Sequence, residues 1–355
     1  MKKTIVFTIL ILLHISLIAQ NQVTADPDQQ TNWWGDPDGY LNQQAKISLR
    51  MADEALKLYP PEFRMSLERK LALITIDNVL HEEKAAYRPS VQAFLQRRIE
   101  QAVKEISSAK VTKGAVIWKL YDHAFVVKTA SVTIGFDIQR GLPGVEGFTL
   151  SKELIQKLID SIDILFVSHY HSDHADPWVA EMFLNQDKPV VTPPNLWESK
   201  EFYGKITHPK RKAAQKQTVH LSARGLNLQF VSYPGHQGDQ ILNNVYLVFS
   251  PEGFSFAHTG DQSNVGDFEW IDRVGKDFQV DVLMTNSWAV YPDHRLVRGF
   301  HPRLTLPGHE NEMGHTIDHR EPYWLNELRL GDPKIYPWIQ MAWGEKFHYQ
   351  PNRKH

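Results

Sequence analysis

Ser168-His169-Tyr170-His171-Ser172-Asp173-His174 gathers three imidazoles and a carboxylate into one short loop, directly after the strand-forming run Ile162-Asp163-Ile164-Leu165-Phe166-Val167. Imidazole and carboxylate suit Zn²⁺ and its divalent neighbours, each giving one bond of about 2.0–2.2 Å. Alternation along an extended chain sends His169 and His171 to the same side. A turn just after them brings Asp173 and His174 in from a second direction, so one loop can serve two adjacent ions. Histidines that merely cap a strand end would not need this density of donors.

Two ions need about six or seven ligands, including a bridging carboxylate. Later strand ends supply candidates. Tyr233-Pro234-Gly235-His236 places His236 after a Pro-Gly turn that follows a strand, and Leu304-Thr305-Leu306-Pro307-Gly308-His309 repeats the device for His309. The competing reading of His236 is a loop histidine facing solvent. Thr259-Gly260-Asp261 closes another strand, where Asp261 can offer one oxygen to each ion; its other reading is an Asx-turn acid. His258 reads as buried beside the site. His315 competes with His309 and is expected on a helix, where it would orient a ligand or protonate a leaving group.

Composition narrows the class. The 355 residues contain 17 histidines and no cysteine, which excludes disulfides, thiolate ligands and a lipid-modified cysteine. A net charge of −2 gives no basic face for nucleic acid. Met1-Lys2-Lys3 followed by an apolar run to Ala19 has the layout of a signal peptide over residues 1–19, short for a bilayer span of ~20 residues. The expectation is export to the periplasm or medium, without a stable membrane anchor. The mature chain then carries 37 basic and 41 acidic residues.

From about Asn32 to Ala109 the spacing is helical. Leu41, Ala45, Leu49, Ala52 and Leu56 mark a first helix, Phe63, Leu67, Leu71 and Ile74 a second, and Val91, Leu95, Ile99, Ala102 and Ile106 a third. Residues 20–112 are therefore read as a helical N-terminal region that packs on the main domain or a partner, or covers substrate. Near Gly114 the period becomes that of strands, at 116–120, 124–127 and 132–137, in antiparallel order. Strands with interspersed helices continue as an α+β domain over residues 113–355.

In this order His169-x-His171-x-Asp173-His174, His236, Thr259-Gly260-Asp261 and Pro307-Gly308-His309 resemble the metallo-β-lactamase fold hydrolases. Asp122-His123-Ala124-Phe125-Val126-Val127, with Ile134-Gly135-Phe136-Asp137 behind it, is similar to the opening hairpin of the lactonase and phospholipase-D-like branches. The resemblance implies a four-layer αβ/βα sandwich. It also implies one ion on His169, His171 and His236, a second on Asp173, His174 and His309, and Asp261 bridging them. Without cysteine, the resemblance is not to the true zinc β-lactamases.

The expected chemistry is attack by metal-activated hydroxide on an ester, lactone or phosphodiester of a small or lipid-like substrate, with Asp173 and His315 as catalytic candidates. His258, His301 and a metal-bound water are further proton donors. Zinc fits the donors best, and manganese or iron is admissible. Aromatic residues Trp288, Tyr291, Tyr323, Trp324, Tyr336, Trp338 and Trp343 are candidates for a pocket wall, and Arg295, Arg298 and Arg303 for an anion contact. A metal-dependent binding or sensing protein, and a di-iron redox protein lacking any flavin module, are the other classes the donor set allows. Oligomeric state has no signature in the chain.

Overall fold

The computed structural model describes residues 32–142, 144–145, 147–288 and 293–351. The signal-peptide expectation and Tyr291 fall outside them. Contact clustering separates residues 1–41 from a unit of residues 42–355, a cut that lies inside the first described helix.

Among the described residues twelve strands form two six-stranded sheets. The first runs β12 (Lys346–Tyr349), β1 (Ala115–Lys119), β2 (Phe125–Lys128), β3 (Thr133–Phe136), β4 (Ile164–Phe166), β5 (Val190–Val191). The second runs β11 (Leu304–Gly308), β10 (Val282–Asn286), β9 (Ser255–His258), β8 (Ile241–Phe249), β7 (Leu226–Gln237), β6 (Lys216–Leu221). Each sheet starts as an antiparallel meander and ends in parallel pairs, β3/β4/β5 and β9/β10/β11.

Period-two alternation builds the layers. Ile117, Phe125, Val127, Ile164 and Phe166 meet Phe256, Val282 and Met284 in the core between the sheets. Their neighbours Trp118, Val126 and Leu165 face outward, under the helices α1 (Pro37–Leu58), α2 (Leu67–Leu80), α3 (Pro89–Ser108), α4 (Lys152–Asp160) and α5 (Pro177–Leu184). Leu283 and Ala257 point the other way, beneath α6 (Phe268–Ile271), α7 (Val274–Asp277) and α8 (Arg295–Phe300). This is the four-layer αβ/βα sandwich with added N-terminal helices. A last helix, α9 (Tyr323–Leu330), contacts α2. Among the described residues no helix is long and apolar enough to cross a membrane.

Three details differ from the sequence reading. Helix α2 does not bury its Leu67, Leu71, Ile74 stripe: Leu67 and Leu71 are 67% and 54% exposed, and the inward face carries Arg69, Ala72, Leu73, Ile76, Asp77 and Leu80. Hydropathy misses this face because its two charges are matched. Arg69 donates to both Glu345 oxygens at 2.9 and 2.5 Å and to the carbonyls of Gln340 and Tyr59. Asp77 accepts from Asn311 Nδ2 and from the Tyr323 and Trp324 amides that open α9.

Pro234-Gly235 and Pro307-Gly308, expected as turns, are strand residues paired with Asn244, Asn243, Thr285 and Asn286. Strand β11 is an edge, where a missing proline N–H is tolerated. His315 sits in a loop rather than a helix, because the Glu312 carboxylate accepts the Gly314 and His315 amides and folds the chain on itself.

Removing Arg69 leaves the buried Glu345 carboxylate only the more distant Arg98, 3.9 Å away. Arg69→Ala is expected to cost about 3–5 kcal/mol, read as a fall in the denaturant midpoint; a loss under about 1 kcal/mol would show that the pair contributes little.

Candidate metal centre

The donors converge where the strands' carboxyl ends open, the usual position of ligand sites in sheets with parallel strands. Strand β4 delivers the loop of His169 to His174, β9 delivers Asp261, β10 Asn286, β11 His309 and β3 Asp137. After His171 the chain turns, with the His174 and Ala175 amides bonded to the His171 carbonyl at 3.0 and 2.8 Å. At Asp261 the turn requires Gly260: its φ is +50°, and a Cβ there would lie 2.3 Å from Asn243 Oδ1 and 2.4 Å from Ser168 Cβ.

Six of the seven expected ligands come together. His169, His171 and Asp261 form one cluster of donor atoms, and Asp173, His174 and His309 form another with Asp122. Asp261 reaches both. Its oxygens lie 3.6 Å from His169 Nε2, 3.3 Å from His174 Nε2 and 3.5 Å from His309 Nε2, while Asp173 Oδ2 stands 3.3 Å from both His174 Nε2 and His309 Nε2. Two ligands on a tetrahedral ion with bonds of 2.0–2.2 Å are ~3.3–3.6 Å apart. These separations therefore fit shared ions better than direct hydrogen bonds. The buried Nε2 atoms of His169, His174 and His309 have no hydrogen-bond partner in the protein, which also fits a cation among them.

The ring orientations come from behind. Asp137 is fully buried and accepts from the Ser168 amide at 2.7 Å, the Ser168 hydroxyl at 2.6 Å and His174 Nδ1 at 2.8 Å. Ser168 Oγ in turn lies 3.0 Å from His169 Nδ1. Both rings thus turn Nε2 into the site, the carboxylate–histidine arrangement common around bound metals. Asp261 is held by Asn286 Nδ2 at 3.0 Å, Gln237 Nε2 at 3.1 Å and, at its amide, Asn243 Oδ1.

His236 stands apart from these clusters among the described residues. It is 29% exposed, its Nδ1 lies 3.1 Å from the Asp267 carboxylate, and that bond leaves the ring's lone pair on Nε2. His315 has its ring 5.5 Å from that of His309 and is 41% exposed. His258 is buried, with Nε2 3.0 Å from the His123 carbonyl, and His301 is exposed at the end of α8.

Of the aromatics, Tyr323, Trp338 and Trp343 are core residues, Trp324 is 48% exposed, and Trp288 places its ring 6.2 Å from His309. Arg295, Arg298 and Arg303 lie against Asp272, Asp293 and Asp281 rather than in the site.

Electrostatics follow from this crowding. Burial, then the neighbouring His174 charge, pushes the His169 imidazole down to about 3. Burial also lowers His174 and His309, but the facing carboxylates outweigh it and hold both well above the ordinary imidazole range. Burial raises Asp261 and Asp173, and the His174 and His309 charges reverse that, leaving both well below the usual carboxylate range.

No family model and no curated protein sequence matches the chain. Solved structures do. Igni18, a metallo hydrolase from the archaeon Ignicoccus hospitalis, is 14% identical over 67% of this chain and 100% of its own, with a TM-score of 0.50. The isothiocyanate hydrolase from Delia radicum gut bacteria is 14% identical over 66% and 99%, at 0.45. A Thermotoga maritima protein of the metallo-β-lactamase superfamily is 12% identical over 61% and 86%, at 0.33. The likeness to Igni18 is one of fold. With the observed sheet order and layering, the chain has the metallo-β-lactamase fold, and its structural neighbours include metallo-hydrolases and a diiron β-hydroxylase from Streptomyces venezuelae, CmlA, 14% identical over 67% of this chain and 54% of its own at a TM-score of 0.46.

Sequence reasoning missed Asp122, His123 and Asp267 as members of the site and gave Asp137 no role. Each is a single residue at a turn or strand end, without a repeated spacing to single it out. Asp137→Ala frees His174 and Ser168 at once, so metal affinity is expected to fall about 10–100-fold in a chelator competition titration; unchanged affinity would contradict the orienting role.

Proposed function

We propose that the chain is an exported, metal-dependent hydrolase with a binuclear centre, acting on an ester or lactone bond of a small or lipid-like substrate that is neutral where it meets the protein. The convergence of His169, His171, Asp173, His174, Asp261 and His309 carries the reading. His236, backed by Asp267, completes the proposed histidine-rich ion site. The Met1 to Ala19 segment is the basis for export. Two divalent ions, zinc first with manganese or iron as alternatives, would supply a nucleophile from water near neutral pH and polarise the substrate's carbonyl.

The side chains divide the remaining work. Asp261 would offset the charge of both ions, and Asn286 and Gln237 fix its oxygens. Asp173, 15% exposed where its neighbour His174 is closed off, is placed to take the proton from the attacking water. His315, more open and stacked beyond His309, is placed to protonate the leaving group.

The substrate class is argued from a cleft of about 930 Å³ beside the metal loop. Tyr170, which separates His169 from His171, forms one wall; Leu196, Trp197, Ile241 and Leu242 continue it, and Leu242 pairs with His236. Among the described residues its one charged lining side chain is Glu198, and Asn195, Ser199 and Gln240 are its polar members. Such a wall favours an apolar acyl or aromatic body and offers an anionic phosphodiester no counter-charge.

Metal analysis followed by a panel of esters, lactones and phosphodiesters tests this. The expected result is two ions per chain and turnover of apolar esters or lactones, with His171→Ala lowering kcat/KM by about 100-fold or more. Two bound ions without turnover across the panel would replace the hydrolase reading with a metal-dependent binding or sensing protein. In the cleft, Trp197→Ala is expected to lower kcat/KM about tenfold for long-chain esters and to leave acetate esters near wild type, since one lost apolar contact is worth 1–3 kcal/mol. An equal loss for both would remove the cleft from the substrate's path.

A further inference from the structure

We propose that Asp122 is a further ligand of the binuclear centre, binding the second ion together with Asp173, His174 and His309 and making that half of the site oxygen-rich. The inference rests on the metal reading above and extends its ligand set.

Asp122 lies in the turn between β1 and β2 at φ +56°, in the left-handed region that side chains other than glycine seldom occupy. That turn carries its carboxylate into the interior, where the residue is fully buried and neither oxygen accepts a hydrogen bond. Two nearby donors are committed elsewhere, and the unpartnered His309 Nδ1 stands off at 3.6 Å. The Tyr121 hydroxyl goes to Glu312 at 3.1 Å, and the Lys119 ammonium goes to Glu310 and the Pro307 carbonyl. A buried carboxylate with no donor is among the costliest groups a fold can hold, unless a cation meets it.

The surroundings place that cation. Asp122 Oδ2 is 3.8 Å from His174 Nε2, the nitrogen that Asp137 turns into the site, and Oδ1 is 3.6 Å from His309 Nδ1. One donor atom from each of Asp122, Asp173, His174 and His309 lies within 4.8 Å of the other three. Opposite ligands on one ion with bonds of 2.0–2.2 Å are ~4.0–4.4 Å apart, so the four fit little more than a single coordination sphere.

With Asp261 bridging, the second ion then has three carboxylates and two imidazoles, against an imidazole-dominated neighbour. Carboxylate-rich sites accept manganese and iron(II) more readily than histidine-rich ones do.

Asp122→Asn discriminates a ligand from a support. An amide oxygen keeps the shape and the polar face toward His309 Nδ1 but is a weaker metal ligand. Titration of Mn²⁺ into chelator-treated wild-type and variant protein, followed by electron paramagnetic resonance, should show two sites in the wild type. In the variant one site should weaken by roughly 100-fold or more while the other is retained. A change below tenfold in both sites overturns the proposal.

A second measurement needs no variant. Wild-type protein loaded with ¹¹³Cd²⁺ should give two resonances, one displaced to lower frequency by oxygen ligands; two resonances in the imidazole-rich range would also overturn the proposal. Wild-type protein that takes up no ion sinks the metal reading itself, whereas two equally tight sites in both proteins sink only the role of Asp122.

Discussion

The structure depends on one constraint: imidazoles and carboxylates buried at the ends of parallel strands must compensate one another or share a cation. Bulk solvent does not reach them, because His169, His174, Asp122 and Asp137 are fully enclosed. Asp137 is the pivot, since it joins the backbone of Ser168 to the ring of His174 and, through the Ser168 hydroxyl, to His169. The strand register that sets β3 beside β4 is therefore also what aims two metal-facing nitrogens.

The same logic explains the scaffold away from the centre. Arg69 and Asp77 occupy an inward helix face where apolar residues would be expected, and each is matched by groups from the far end of the chain, Glu345 in one case and the start of α9 in the other. Leu67 and Leu71 are left outside as a result. The N-terminal helices are thus joined to the sandwich by specific polar contacts as well as by the core they share with the first sheet. Specificity of this kind is costly to break, because a buried charge or a buried amide loses its partner.

Function follows from the asymmetry of the opening. One side is closed by the buried ligands, and the other carries the exposed Tyr170 and the apolar cleft beside it. A substrate whose body lay along that wall would bring its reactive bond to the proposed centre, which is why the lining bears on substrate class even though the donor set does not.

Much of this was legible in the chain. The His169 to His174 loop declares metal chemistry by local spacing, and alternation in β1 to β4 and β10 assigns each residue to a face, because both are short-range properties fixed by backbone geometry. The order of His236, Asp261 and His309 after them points to the layered sandwich. What the tertiary structure alone decided is which isolated residues meet. Asp122, Asp137 and Asp267 lie in separate turns and loops, and only strand pairing and sheet packing bring Asp122 and Asp137 to His309 and His174, and Asp267 to His236. The buried face of α2 was likewise decided from outside the helix. Hydropathy records the cost of burying Arg69 and Asp77, whereas the partners that offset it lie more than 200 residues away in sequence.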